Sequence, residues 1–263
     1  MASLRNFSPL KLDRITDIFI CCSCFCLIIF FDELKSIGLN KYIPDFEIFN
    51  SVNQVLRSQL KKPYILKANN LSGGKVSYLA KSKAQAVFIF VIMRLIQFLA
   101  PIAKILKRHI AFDKIMGVEL FDTYNSDINL FITFRILYWG SDPYFLYPHV
   151  SKDHWCVHTD MKDDTIEKED YISAYNIGIK AYKDNKKVFK IVKDLIGLDI
   201  VVFDFLVTKD SKVIFLEPEL KYGLDLNFIE GQAIRFNLEA DFFQQMQSNL
   251  RKKLICFDAL FNK

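Results

Sequence analysis

The sequence predicts an α+β protein organised around one carboxylate-bearing β-hairpin. Three observations point there. Residues 197–225 (GLDIVVFDFLVTKDSKVIFLEPELKYGLD) read as two β-branched and aromatic runs joined by Thr208-Lys209-Asp210-Ser211, which is turn chemistry. Strands and helices mix along the chain without strict βαβ alternation, which argues against a doubly wound parallel sheet. Hydrophobic residues make up 51% of the chain and charged residues 25%, with 25 Phe against only 9 Gly and 7 Pro. That balance belongs to a globular protein with long ordered segments, and excludes disorder.

The hairpin's acids set the functional question. Asp204 interrupts VVF and FLV, and Glu217 and Glu219 close the second run. A carboxylate in an apolar strand is costly unless a cation or hydrogen bonds compensate it. Oxygen-only ligands converging from paired strands suit Mg2+ bound through a nucleotide's phosphates.

Charge and cysteine usage narrow the class further. Lys and Arg total 35 against 30 Asp and Glu, a net charge of +5, with no nucleic-acid footprint. Cys21, Cys22, Cys24 and Cys26 lie too close together to pair sensibly and lack the spacing of a zinc site, while Cys156 and Cys256 stand alone. Free thiols on this scale suit a reducing cytoplasm.

Taken in order, the elements begin with an apolar run over residues 18–31, read as a buried strand entering a helix at Asp32. Residues 44–49 look extended, and Ser51 can cap a helix through Leu60. Tyr64-Ile65-Leu66-Lys67 is a short strand, followed by a loop with Ser72, Gly73, Gly74 and Lys75. That loop reads as a hairpin turn or as a phosphate cradle; it is not a P-loop, because Lys67 precedes the glycines. Residues 84–103 form a hydrophobic helix broken by Arg94, Gln97 and Pro101, and basic residues follow it through 108. It is read as a buried or surface-lying helix, with peripheral membrane contact through residues 84–108 or a true span as the alternatives. Residues 115–122 and 127–137 are read as strands, Asp142-Pro143 as a turn, and 167–193 as helix. The stretch between them is read as a loop carrying His149, His154 and His158, either solvated, a metal site, or a source of acid–base chemistry through His158. Residues 230–261 look like closing helices.

This order of parts resembles the ATP-grasp superfamily. PYILKANNLSGGKV is similar to that family's first ATP-binding strand and Gly-rich loop, VELFDTYNSDINLFI to its hinge and next strand, and DFLVTKDSKVIFLEPE to its metal-binding hairpin. The resemblance implies two α+β lobes with a nucleotide cleft between them. It divides the chain into a short N-terminal segment (1–40, a shortened N-terminal domain), a small lobe with the Gly-rich lid (41–118) and a large lobe with the hairpin (119–263). It also implies a ligase that activates a carboxylate as an acyl-phosphate, then joins it to an amine or similar acceptor. Under it, Lys67 contacts the phosphates of ATP, Ser72, Gly73 and Gly74 cover them, Glu119 and the Leu120 backbone meet adenine, and Asp127 reaches the ribose. Asp204, Glu217 and Glu219 hold Mg2+.

The departures are specific. The family's Glu-x-Asn reads Glu217-Pro218-Glu219 here, its Asp-Ile-Arg reads Asp127-Ile128-Asn129, and a segment usually carrying Arg and Asn reads Trp155-Cys156-Val157-His158. Arg135, Lys152 and His158 are the candidates to supply the missing positive charge. The Asp-Ile-x-x-Phe strand is similar to members from cell-surface polysaccharide pathways, implying a small-molecule or cell-envelope precursor substrate. The other readings are a non-catalytic relative that binds nucleotide or a partner, and a membrane-associated protein whose hairpin acids are structural.

Overall fold

The computed structural model describes residues 27–69, 76–105, 112, 114–139, 142–153, 165–198 and 200–219. Within them the chain folds as α+β, with two antiparallel sheets and a helical layer on each.

The first element, α1 (Leu27–Ser36), overturns the strand expected across residues 18–31 wherever that run is described. Leu27, Phe30, Phe31 and Leu34 recur at helical spacing and are all buried, so the apolar run satisfies a helix period as well as a strand's length. The four clustered cysteines lie outside the described residues.

The smaller sheet has strand order β1-β4-β2-β3, from β1 (Phe46–Phe49), β2 (Tyr64–Ala68), β3 (Ser77–Ala80) and β4 (Ile115–Glu119). Helix α2 (Val52–Arg57) starts at Ser51, whose hydroxyl accepts from the Gln54 backbone N–H at 3.4 Å while the Gln54 side chain accepts from Ser51 N–H at 3.2 Å. This capping box satisfies two orphan donors. The helix stops at Arg57 rather than Leu60, with the Ser58 N–H turning back to Val55 O. The long hydrophobic helix, α3 (Lys83–Ile105), buries Ala86, Phe90 and Met93 in a core shared with Phe49, Tyr64 and Leu66. Alternation along β2 turns Tyr64, Leu66 and Ala68 into that core and puts Ile65 and Lys67 on the opposite face.

The larger sheet contains β5 (Tyr124–Asn125), β6 (Leu130–Trp139), β7 (Asp142–Ser151), β8 (Ile200–Val207) and β9 (Val213–Glu219). Strand β6 pairs with β8 on one side and β7 on the other, and β9 pairs with β8. Strand β7 replaces the turn expected at Asp142-Pro143. It pairs only with β6 among the described residues, and an edge strand tolerates Pro143 and Pro148. Strand β6 begins at Leu130 rather than Asp127, after a turn in which Asn129 has φ +54°.

Helix α4 (Lys168–Ile196) covers one face of this sheet and ends at Gly197 in the left-handed region, a common helix stop. Its Phe189 packs edge-on against Phe205 and Phe215, at ring distances of 5.0 and 4.9 Å. One hydrophobic cluster joins α1, Met116 and Val118 of β4, and the aromatic face of the larger sheet.

Candidate functional site

The site begins with strand register. Across β6, β8 and β9, Arg135 stands opposite Asp204, and Asp204 opposite Glu217. A bulge makes this row. Phe215 pairs with Phe205 on the helix-covered side, and two residues later Glu217 would face the same way in a regular strand. The register shifts between Asp204 and Phe205, leaving Leu216 as the extra residue and bringing Glu217 level with Asp204.

Electrostatics then link the two sheets. The Arg135 guanidinium donates Nε to Asp204 Oδ1 and Nη2 to Asp204 Oδ2, both at 2.6 Å, a bidentate pair with side-chain exposures of only 10% and 17%. From the smaller sheet, Lys67 Nζ reaches Glu217 Oε2 at 3.5 Å. Two adjacent carboxylates, flanked by one cation on each side, thus form one line across both sheets. Strands β2 and β3 stay paired up to this point: the Ala68 N–H donates to Val76 O at 3.2 Å, and Lys67 pairs with Ser77.

Tyr147 extends the row and His149 lies two residues along from it, neither having been placed on a strand from the sequence. Tyr147 stands opposite Arg135 on β7, and His149 opposite Thr133, with their rings 5.0 Å apart edge to face and both buried. His149 is therefore a strand residue rather than part of a solvated loop. The signal that could have placed it is the alternation in YFLYPHV, obscured by the two prolines.

The other expected residues divide. Glu119 ends β4, and its carboxylate accepts from the Asp45 N–H at 3.2 Å while its own N–H donates to Asp45 O at 2.8 Å. Its partly exposed neighbour Leu120 follows directly. Asp127 is not brought to the Lys67 group. It sits in the turn before β6, its N–H donating to Asn125 Oδ1 at 3.0 Å. There it lines a cleft of about 430 Å³ with Asp122, Lys180, Asp184 and Lys209, a cleft that includes Phe134 from the helix-covered face. At that cleft Lys209 and Asp122 pair at 2.9 Å; the hydrogen bond from Lys209 holds the Asp122 carboxyl below the usual carboxylate range, and Asp122 raises the lysine in return. Ser72, Gly73, Gly74, His154 and His158 lie outside the described residues, as does the Glu219 side chain, although its backbone ends β9 opposite Val202.

For a cation the donor chemistry is suitable but incomplete. Asp204 and Glu217 supply hard oxygen ligands from adjacent strands, the type Mg2+ takes. Among the described residues no three His, Cys, Asp or Glu side chains gather as a metal site. A third carboxylate would have to come from Glu219.

No family model and no curated protein matches the sequence. Solved structures do show likenesses. An L-amino acid ligase from Bacillus licheniformis is 10% identical, over 77% of this chain and 41% of that one, at a TM-score of 0.46. The D-alanine-D-alanine ligase from Coxiella burnetii is 12% identical, over 88% and 62%, at 0.42. A RimK domain ATP-grasp protein from Sphaerobacter thermophilus is 10% identical, over 81% and 66%, at 0.43. The chain thus spans between about two fifths and two thirds of the length of these proteins. Likeness at this level says nothing of which side chains act.

Proposed function

We propose that this chain is an ATP-dependent ligase of the ATP-grasp kind, holding Mg-ATP between a small lobe (41–118) and a large lobe (119–263). The observation that carries the reading is the line Lys67, Glu217, Asp204, Arg135, two carboxylates flanked by two cations and built from both sheets. Phosphoryl transfer asks mainly for positioning and charge neutralisation, and such a line offers cations for phosphate oxygens beside carboxylates for a metal. The Lys67–Glu217 contact is at the limit of hydrogen-bond distance, so a phosphate oxygen would compete readily for the ammonium.

In the proposed reaction a substrate carboxylate oxygen attacks the γ-phosphorus of ATP, and the bond to the β–γ bridging oxygen breaks to release ADP. An amine nitrogen then attacks the acyl carbon, loses its proton, and phosphate departs. Lys67 binds the phosphates, and Ser72, Gly73 and Gly74 offer backbone N–H groups to them. Glu119 and Leu120 border the base. Arg135 and His158 supply positive charge towards the acyl-phosphate. Asp204, Glu217 and Glu219 would hold Mg2+, which neutralises phosphate charge when bound. Asp127 is left out of this set because it opens on the cleft at the other face. The substrate class, a small molecule or cell-envelope precursor on the cytoplasmic side, rests on resemblance in the strand after Asp127.

A second reading, nucleotide binding without turnover, is favoured by one observation: Arg135 occupies both oxygens of Asp204. Calorimetry with Mg-ATP tests the common part. Lys67→Ala should weaken binding about tenfold to a hundredfold, the worth of one hydrogen bond to a charged group. Absence of Mg-ATP binding by the wild type would end both readings. ADP release across a panel of carboxylates and amines separates ligase from silent binder.

A further inference from the structure

Helix α3 is apolar on two sides, and among the described residues only one is covered. Ala86, Phe90 and Met93 are buried against the smaller sheet, whereas Phe88, Val91, Leu95, Phe98 and Leu99 face outward, with Phe98 78% and Phe88 65% exposed. Their spacing of three, four, three and one residues gathers them in one stripe about 100° wide. An ordinary soluble surface does not line up five large apolar side chains on one helix.

The charge around this helix says what the stripe meets. From residue 48 to residue 112 the sequence holds eleven Lys and Arg and no Asp or Glu, so all 30 acids lie in the remaining 198 residues beside 24 basic ones. The two signs of charge are therefore unevenly distributed along the chain. That stretch makes up most of the smaller lobe, whose acids, Asp45, Glu47 and Asp113, lie near its two ends in sequence. Exposed Lys81 and Lys83 stand at the start of α3, and Lys104, Lys107 and Arg108 follow the stripe in sequence. Arg94 lies beside it, donating to Asn50 O at 2.8 Å and to Gln97 Oε1 at 2.9 Å. An apolar stripe on a helix that carries no acid and starts at two exposed lysines is complementary to an anionic bilayer, where acyl chains take the stripe and headgroups take the lysines.

Position decides how the helix would meet the bilayer. The window 83–100 is long and apolar enough to cross a membrane, yet its packed side holds the core of the smaller sheet. Surrounding α3 with lipid would tear Phe90 and Met93 out of that core. We propose that α3 lies in the plane of an anionic membrane surface, with Phe88, Leu95 and Phe98 in the headgroup–acyl boundary and Lys81 and Lys83 at the headgroups. The proposal is independent of the ligase reading, since none of these side chains belongs to the Lys67–Asp204 line.

Sedimentation of the full chain with vesicles tests it, comparing phosphatidylcholine alone with phosphatidylcholine containing roughly a third phosphatidylserine. The wild type should pellet with the anionic vesicles and lose most of that binding in high salt. Phe88→Glu/Phe98→Glu should weaken binding about tenfold or more, with the thermal melt unchanged because both side chains are exposed; Phe88→Ser/Phe98→Ser serves if the glutamates disturb folding. The proposal fails if the wild type stays in the supernatant, or if binding survives both double substitutions. It also fails if size-exclusion shows a dimer that Phe98→Glu dissociates while vesicle binding is nil, since a second copy would then cover the stripe.

Discussion

Arg135 and Asp204 hold each other's charge where little water reaches. Both oxygens of Asp204 are engaged at 2.6 Å, and neither side chain exceeds 17% exposure. Removing one member strands the other's charge in a poorly solvated place. Arg135→Met is therefore expected to cost about 3 kcal/mol in urea denaturation, the low end for breaking a buried pair. Arg135→Met/Asp204→Leu should recover most of that loss, because no lone charge remains. A single-mutant loss below about 1 kcal/mol would mean that water already compensates the carboxylate. The acids of this site were legible in the sequence because a carboxylate amid VVF and FLV demands an explanation. Their partners were not, since which cation answers a carboxylate depends on register between strands 69 residues apart.

Elements were read well where pattern and context agreed, and badly where a breaker residue misled. The hairpin, α3, α4 and the Ser51 cap follow periodicity and capping chemistry. Strand β7 was hidden because Asp142-Pro143 and Pro148 look like punctuation, and only its edge position makes them harmless. The packing of α4 on β6 offers an element-level test. A Cβ on Gly178 would sit 2.6 and 2.7 Å from the Phe134 ring and 2.9 Å from Leu146 Cδ2. Alanine's better helix propensity gains about 1 kcal/mol, but overpacking costs about 1–3 kcal/mol. Gly178→Ala should thus lower stability by up to about 2 kcal/mol. A higher melting temperature would show that Phe134 can move aside freely.

Over the whole molecule, one hydrophobic cluster joins the two sheets, while the smaller sheet keeps a second core under α3. Phe31 of α1 is 1% exposed, its ring lies 5.2 Å from that of Phe46 on β1, and its cluster continues to Phe203 and Phe215 in the larger sheet. Calorimetry should accordingly show one unfolding transition, and Phe31→Ala should lower its stability by about 3–5 kcal/mol without splitting it. Two separate transitions in the wild type would mean that the lobes unfold independently. The sequence by itself determined the α+β class, the hairpin with its costly acids, and the strand that carries Lys67, because each follows from local periodicity, turn chemistry or the cost of a buried charge. Only the tertiary structure decided which groups meet: the bulge that brings Glu217 level with Asp204, the approach of Lys67 from the other sheet, the removal of Asp127 to the opposite face, and the side of α3 left bare. Those outcomes depend on register and on packing between distant segments, which no local pattern encodes.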